Sequence, residues 1–420
     1  MERYNEYKDS GVQWLGEIPG HWKTVRVKAL LSERVDKSDT GLEEPLSMSQ
    51  KYGIIPTKDM DVVPNMASTF IGAKRVFKKD LVFNKLKAHL GVFAISEYDG
   101  LVSPDYAVYT PNERVCLPFM EYMFHTPLYI REFTKRTTGV AAGFMRLYTD
   151  GLFAIPFVYP PIKEQHSIVT YLDDKCVKID KMLEGKQKQI ELLAEMKQRI
   201  IADAVTRGLN PNVKMKATNI PWLPEIPVHW GILRNKAFLK LTTVKVGSRK
   251  DFTLLSLTKQ GVIIRDLSEG KGKFPKDFES YLVVRPNNLV FCLFDIDETP
   301  RTVGLVRNTG MLTGAYTNFE VNEEIVLPEY AYYYYLQIDD IKGLRPYYTG
   351  LRKVVKTNTF LQIRMLVPPM EEQIAIVSYV EKKCGCIETL TSKLQQEIES
   401  IKEYKQRLIS DVVTGQIKVC

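Results

Sequence analysis

Cysteine is scarce and scattered. The six residues are Cys116, Cys176, Cys292, Cys384, Cys386 and Cys420, with neither the CxxC doublets of a zinc site nor the density of a secreted disulfide scaffold. Reduced thiols in a cytoplasmic protein are the expectation. Long apolar runs are also missing: nothing approaches the roughly eighteen successive apolar residues of a membrane span, and the opening MERYNEYKDSGVQW is too polar for a signal peptide. No GxxxxGK[ST] phosphate loop occurs, which excludes an ATP-driven motor within this chain. Neither a glycine-rich loop suited to S-adenosylmethionine, nor an NPP-aromatic tetrapeptide, nor an HExxH or other zinc-ligand pattern is found. SEGKGKF, from Ser268, has glycines without the spacing of a nucleotide loop. Acidic residues are spread throughout, and nothing concentrates them into a paired-carboxylate site. The expectation is a chain with no catalytic residues, no cofactor and no metal of its own.

What is present is a repeat. WLGEIPGHW (Trp14 to Trp22) returns as WLPEIPVHW (Trp222 to Trp230), an offset of 208 residues that also relates Glu17 to Glu225 and His21 to His229. The same offset relates PPIKEQHSIVTYLDDKC, from Pro160, to PPMEEQIAIVSYVEKKC, from Pro368, and MKQRIIADAVT, from Met196, to YKQRLISDVVT, from Tyr404. The 420 residues, long enough for two or three domains, are therefore two copies of one unit. Two copies at a fixed offset are expected to form like halves about an approximate two-fold axis. Between the matching ends lie blocks, roughly 31–157 and 239–365, in which only short echoes such as DLVFNKL and NLVFCLF survive. A frame that holds two different readers fits this pattern. His21 and His229 recur without an Asp or Cys partner in the segment, so they are read as packing or capping residues that strap each block to the frame.

Each copy closes on a heptad pattern. Leu172, Ile179, Lys186, Leu193 and Ile200 fall seven apart in the first, with Cys176, Leu183, Ile190, Lys197 and Ala204 as the companion row. Val380, Ile387, Leu394, Ile401 and Leu408, with Cys384, Thr391, Ile398, Lys405 and Val412, repeat it in the second. Such a stripe predicts two long helices packed as a coiled coil, interrupted by Lys186, Lys197, Thr391 and Lys405. Pro160 and Pro161 suit a helix start, and Gly208 with Pro211 a helix end. Parallel packing would require the link from Gly208 to Pro221 to run back about 48 Å, and about thirteen extended residues reach at most about 45 Å. The helices are therefore expected to be antiparallel, a rod of roughly 50 Å or about 14 base-pair steps with one block at each end.

The blocks mix strand-like runs (RVFKKDLVFNKL, SYLVVRPNNLVFCLF) with helical ones (PFMEYMFHTPLYIREF, PEYAYYYYLQIDDI), so the predicted fold class is α+β. Tyr332 to Tyr335 are read as helix packing rather than as a base-stacking platform. The net charge of +8 permits a nucleic-acid partner without requiring one. Basic residues cluster at Lys74, Arg75, Lys78, Lys79, Lys85 and Lys87, at Lys135, Arg136 and Arg146, at Lys271, Lys273 and Lys276, and at Arg345, Arg352, Lys353 and Lys356. They are the candidates for phosphate and base-edge contacts.

WL-EIP-HW at the start of each half, PP-xxEQ-xxIV-xY leading into the helix and KQRxIxDxVT at its end resemble the specificity subunits of bacterial type I restriction–modification systems, over the whole chain. The resemblance implies a division into residues 1–157 (frame segment and first target recognition domain), 158–210 (first helix), 211–365 (second frame segment and domain) and 366–420 (second helix). It implies that the two domains read the halves of a split, asymmetric site in double-stranded DNA and that the helices set the gap between them. Two copies of a methylation subunit, carrying S-adenosylmethionine, would dock on the frame, and restriction or motor subunits would join them. Two other readings stay open on the sequence: a DNA methyltransferase or nuclease with an unrecognised site, and a coiled-coil scaffold unconnected with DNA.

Overall fold

The computed structural model describes residues 2–62, 69–139, 145–220, 222–248, 252–265 and 278–419. Its α-helices among these residues are α1 (Leu117–Phe124), α2 (Pro127–Arg136), α3 (Thr149–Phe153), α4 (Ile162–Arg207), α5 (Pro328–Asp340), α6 (Thr357–Gln362) and α7 (Met370–Val413). The chain divides into two compact units: Met1–Lys186 with Gln396–Cys420, and Gln187–Gln395. The division cuts both long helices, so each unit contains one block, the first part of its own helix and the last part of the other copy's.

In the first unit, a four-stranded antiparallel sheet runs in the order Leu31–Glu33, Tyr106–Pro111, Leu81–Asn84, Phe93–Ile95. Beside it lie the hairpin Leu46–Ser49/Gly53–Pro56 and the pair Lys74–Val76/Gly100–Val102. Lys23–Arg26 pairs with Pro156–Tyr159, which brings the two ends of the block together immediately before α4. Apolar residues alternate into the sheet's inner face: Leu81, Phe83, Ala107 and Tyr109 are buried in one core with α1 and α2, Phe124 and Phe133 packing on Phe83 and on each other and Phe119 on Trp22 and Phe157. Pro127, which donates no backbone hydrogen bond, stands at the first position of α2, where the PFMEYMFHTPLYIREF run splits in two.

The second unit repeats this plan. Its sheet runs Leu239–Thr242, Thr317–Val321, Leu289–Phe291, Val303–Leu305, with the hairpin Leu255–Thr258/Gly261–Ile264, the pair Leu282–Val284/Gly310–Leu312, and Gly231–Arg234 paired with Arg364–Val367. The two blocks that barely match in sequence thus have one topology. A sheet core asks only for apolar residues on alternate positions, so many sequences satisfy it. Within the tyrosine run of α5, Tyr334 and Tyr335 are fully buried, and Tyr335 packs on Phe291 and Phe360.

The long helices pair antiparallel. In the first unit Lys405 reaches Asp180 at 2.6 Å and Lys186 pairs with Glu397; in the second Lys197 reaches Glu388 at 2.6 Å. Contacts that step down one helix as they step up the other define opposite directions. Leu172, Val380, Ile387, Leu394, Ile398 and Leu408 are buried along this seam, and Ile179, Leu183, Ile190, Leu193, Ile200 and Ile401 half-buried. Cys176 and Cys384 are buried there too.

The duplicated strap has a structural reason. Glu164, in the first turn of α4, accepts a hydrogen bond from Trp22 Nε1 at 3.0 Å and faces His21 Nε2 at 2.7 Å; Glu372, in the first turn of α7, does the same for Trp230 at 3.0 Å and His229 at 2.8 Å. A carboxylate is also favoured there by the helix dipole. Each strap then meets the end of the other copy's helix. Gly208, with φ +78° just past α4, lies so close to the second strap that a Cβ would stand 2.7 Å from Glu372 Oε1 and 3.1 Å from Trp230. Past α7, Tyr7 donates to the carbonyl of Gly415 and Gln416 to that of Glu17. The neighbouring glutamines complete the join. Gln165 accepts from Cys116 N and donates to the carbonyls of Arg114 and Pro160, while Gln373 accepts from Leu327 N and donates to those of Ile325 and Pro368. These paired roles of the EQ motif were not legible from the sequence, although its recurrence at the 208-residue offset marked the positions.

Candidate nucleic-acid interface

In the first block the basic candidates separate into four groups. Lys74, Lys85 and Arg146 converge. Lys74, 8% exposed, has its Nζ 3.4 Å from Glu33; Lys85 donates to the carbonyl of Pro104 at 3.3 Å; Arg146 lies 3.5 Å from Asp105. Burial, then the neighbouring Lys74 charge, pushes the Lys85 ammonium below its ordinary pKa, with Glu33 and Asp105 opposing. Three cations face two carboxylates, leaving an excess positive charge beside the sheet.

Arg75 points to the other side of its strand, to Glu43 at 2.8 Å and Asp36 at 3.2 Å, and the Ser38 hydroxyl and Arg75 hold the Glu43 carboxyl down at about 2. Lys135 and Arg136 both pair with the buried Glu132, which burial would raise but the two cations hold below its ordinary value. Two cations share one carboxylate there, and their role in the geometry is to seat it at the end of α2. Lys78 and Lys87 are exposed and carry no ion pair among the described residues, which leaves them able to meet phosphate.

In the second block Lys271, Lys273 and Lys276 lie outside the described residues. Arg345, Arg352 and Lys353 come together on an acidic loop. Arg345 Nε lies 2.8 Å from Asp297, Arg352 Nη2 3.1 Å from Asp295, and Lys353 Nζ 3.0 Å from Asp297 and 2.6 Å from Glu298. Hydrogen bonds from Arg345 and then Lys353 lower the Asp297 carboxyl, and Glu298 and Asp297 in turn raise the Lys353 ammonium. Reading the sequence for basic runs missed the acidic side of this cluster, FDIDE at Phe294 to Glu298. Its signal was available: a short acidic run in one divergent block that also carries a short basic run.

No group of three or more His, Cys, Asp or Glu side chains able to hold a metal is found among the described residues, and none of the described helices is long and apolar enough to cross a membrane.

No protein-family model matches the chain. Known proteins do. It is 22% identical to the "Putative type I restriction enzyme MjaX specificity subunit" of Methanocaldococcus jannaschii, over 96% of each chain. It is 23% identical to the type I restriction enzyme MjaVIII specificity subunit of the same organism, over 71% of this chain and 70% of that one. Among solved structures, the HsdS subunit from Thermoanaerobacter tengcongensis superposes with a TM-score of 0.53 at 13% identity, over 95% of this chain and 98% of that one. The chain carries the HsdS fold. A second solved chain, from work on complex assembly and conformational transition of the type I R-M system, gives a TM-score of 0.69 at 14% identity, over 95% and 99% of the two chains. The resemblance to type I specificity subunits read from the repeated motifs thus extends across an HsdS-like chain from end to end.

Proposed function

We propose that this HsdS-like chain is the DNA-recognition subunit of a cytoplasmic type I restriction–modification complex and is not itself an enzyme. Its two blocks read the two halves of a split, asymmetric site, and the paired helices fix the gap. One observation carries the reading: two blocks of identical topology, set in one duplicated frame, present different side chains at corresponding loops. A common scaffold with divergent tips suits two readers of different sequences.

The duplicated frame suits one partner bound twice. Tyr171, with Lys175 over its ring at 5.4 Å, corresponds to Tyr379 with Lys383 at 5.8 Å. Met182 and Met196, 55% and 53% exposed on α4, correspond to Leu390 and Tyr404, 46% and 49% exposed on α7. Apolar side chains that stay exposed at the same place in both copies are what a twice-bound subunit would cover. That partner is a methylation subunit carrying S-adenosylmethionine, to which restriction or motor subunits are added.

The test is methylome sequencing of a host expressing the chain with its methylation subunit, beside the same host in which block 31–157 has been replaced by a foreign one. A split methylated motif that changes in one half alone is expected. A continuous motif, or none, would refute the proposal, and salt-insensitive DNA binding by the assembled complex would favour a scaffold instead.

A further inference from the structure

We infer that Leu351 is the side chain with which the second block touches its half-site, by packing on the C5 methyl group of a thymine in the major groove; the inference rests on the DNA-reading function proposed above. Leu351 is 103% exposed, more than any other large apolar side chain among the described residues. A single exposed leucine on a loop is ordinary. The construction beneath this one is not.

Leu351 stands at the tip of a hairpin, residues 349–354, closed by the Thr349–Val354 bridge. The tip turns through Gly350 at φ +77° and Lys353 at φ +45°. Its base is hydrogen-bonded to the neighbouring loop, Asp295 N to the carbonyl of Arg352 at 2.8 Å and Val355 N to that of Leu293 at 2.8 Å. The Arg352 guanidinium lies over Phe294, 5.4 Å from the ring centre. Lys342 holds the other end of that loop through the carbonyls of Ile296 and Thr299, at 3.3 and 3.2 Å. Of the five non-glycine residues with positive φ among those described, Asp295, Lys342 and Lys353 belong to this platform. Strained backbone is uncommon and concentrates where a surrounding structure fixes a side chain for use. Here it fixes a leucine in water.

The place in the fold agrees. The first block has an antiparallel bridge, Thr138–Arg146, between α2 and α3, at the place where the second has its hairpin bridge between α5 and α6. The two differ in length and sequence, as loops reading different bases must. A leucine offers neither donor nor acceptor, so its recognition is by shape. The only apolar group a base pair displays in the major groove is the thymine methyl.

The test uses the full complex with the methylation subunit. Once the motif is mapped, duplexes are made in which each thymine of the second half-site is replaced in turn by deoxyuridine, which removes that methyl alone. At one position the replacement should weaken binding by the parent complex about fourfold, the worth of one buried carbon group. The same replacement should leave a Leu351→Ala complex unaffected, and the first half-site should be insensitive in both. An unchanged melting temperature of the variant confirms its fold. A second half-site without thymine, or equal uridine sensitivity in parent and variant, overturns the assignment of Leu351 and leaves DNA recognition standing. Absence of any split motif for the parent chain instead removes the reading on which it rests.

Discussion

Lys197 donates to Glu388 across the coil at 2.6 Å, and the pair recurs at the 208-residue offset as Lys405 with Asp180, also at 2.6 Å. These lysines occupy heptad positions where an apolar residue would pack better. A polar group at such a position fixes register and orientation at some cost in stability. Lys197 is 36% exposed and Glu388 64%, so the pair is worth at most about 1 kcal/mol.

Charge reversal should expose that role. Lys197→Glu, facing Glu388, should lower stability by about 1 kcal/mol, and Glu388→Lys in the same chain should restore most of it. Urea unfolding of the two single variants and the double gives the coupling directly. Additive losses would mean that the contact has no part in setting register.

The strap should be sensitive at its acceptor. Trp230 is 1% exposed and its indole N–H has Glu372 as partner. Glu372→Ala leaves a buried donor unsatisfied and should cost about 1–3 kcal/mol. Glu372→Gln keeps a carbonyl acceptor and should cost less, and Glu164→Ala should act likewise on the first unit. A thermal melt in which Glu372→Ala matches the parent would show that the strap is held by packing alone.

A pH effect follows from Glu121 on α1. Burial, opposed by a hydrogen bond from Ile95 N, pushes its carboxyl up from about 4.5 to about 7. The folded chain therefore holds this proton more tightly than the unfolded one. Stability from this group is complete below about pH 4.5 and is lost as pH rises to about 7. The full loss is about 2 kcal/mol after allowance for partial exposure. Glu121→Gln should accordingly be more stable than the parent at pH 8 and equal to it at pH 4. Denaturant midpoints at the two pH values decide it; an equal gain at both would point to packing rather than charge.

How far the sequence could be read depended on the range of the interactions. The heptads, the strap and the helix ends are local or strictly periodic, and they were legible as elements with a role. Glu164 and Gln165 were visible only as recurring letters, because their partners Trp22 and Cys116 lie far away in the chain. In the blocks, Leu81, Val82 and Phe83 against Leu289, Val290 and Phe291 were the surviving trace of a common sheet. The rest of that core is met by any suitable apolar residues. The basic clusters were visible, but Arg75, Arg345, Arg352 and Lys353 are paired with acids that only the fold brings near, while Lys135 and Arg136 share Glu132 one helical turn away. Charge read along the chain therefore overstated how much of it is unpaired.

The spacer role can be tested by length. The seam residues repeat every seven positions, so one heptad inserted in α4 and its counterpart in α7, in the stretch between Leu183 and Ile190 and the facing stretch of α7, preserves the stripe and keeps both helices in register. Seven helical residues add about 10.5 Å, close to three base-pair steps at about 3.4 Å. The complex bearing both insertions should methylate a motif with both half-sites unchanged and a gap about three base pairs longer. Insertion in one helix alone displaces the ion pairs Lys197–Glu388 or Lys405–Asp180 and should abolish methylation instead of shifting the gap. An unaltered gap in the double insertion would separate the coil from spacing and assign the gap to the frame and its bound subunits.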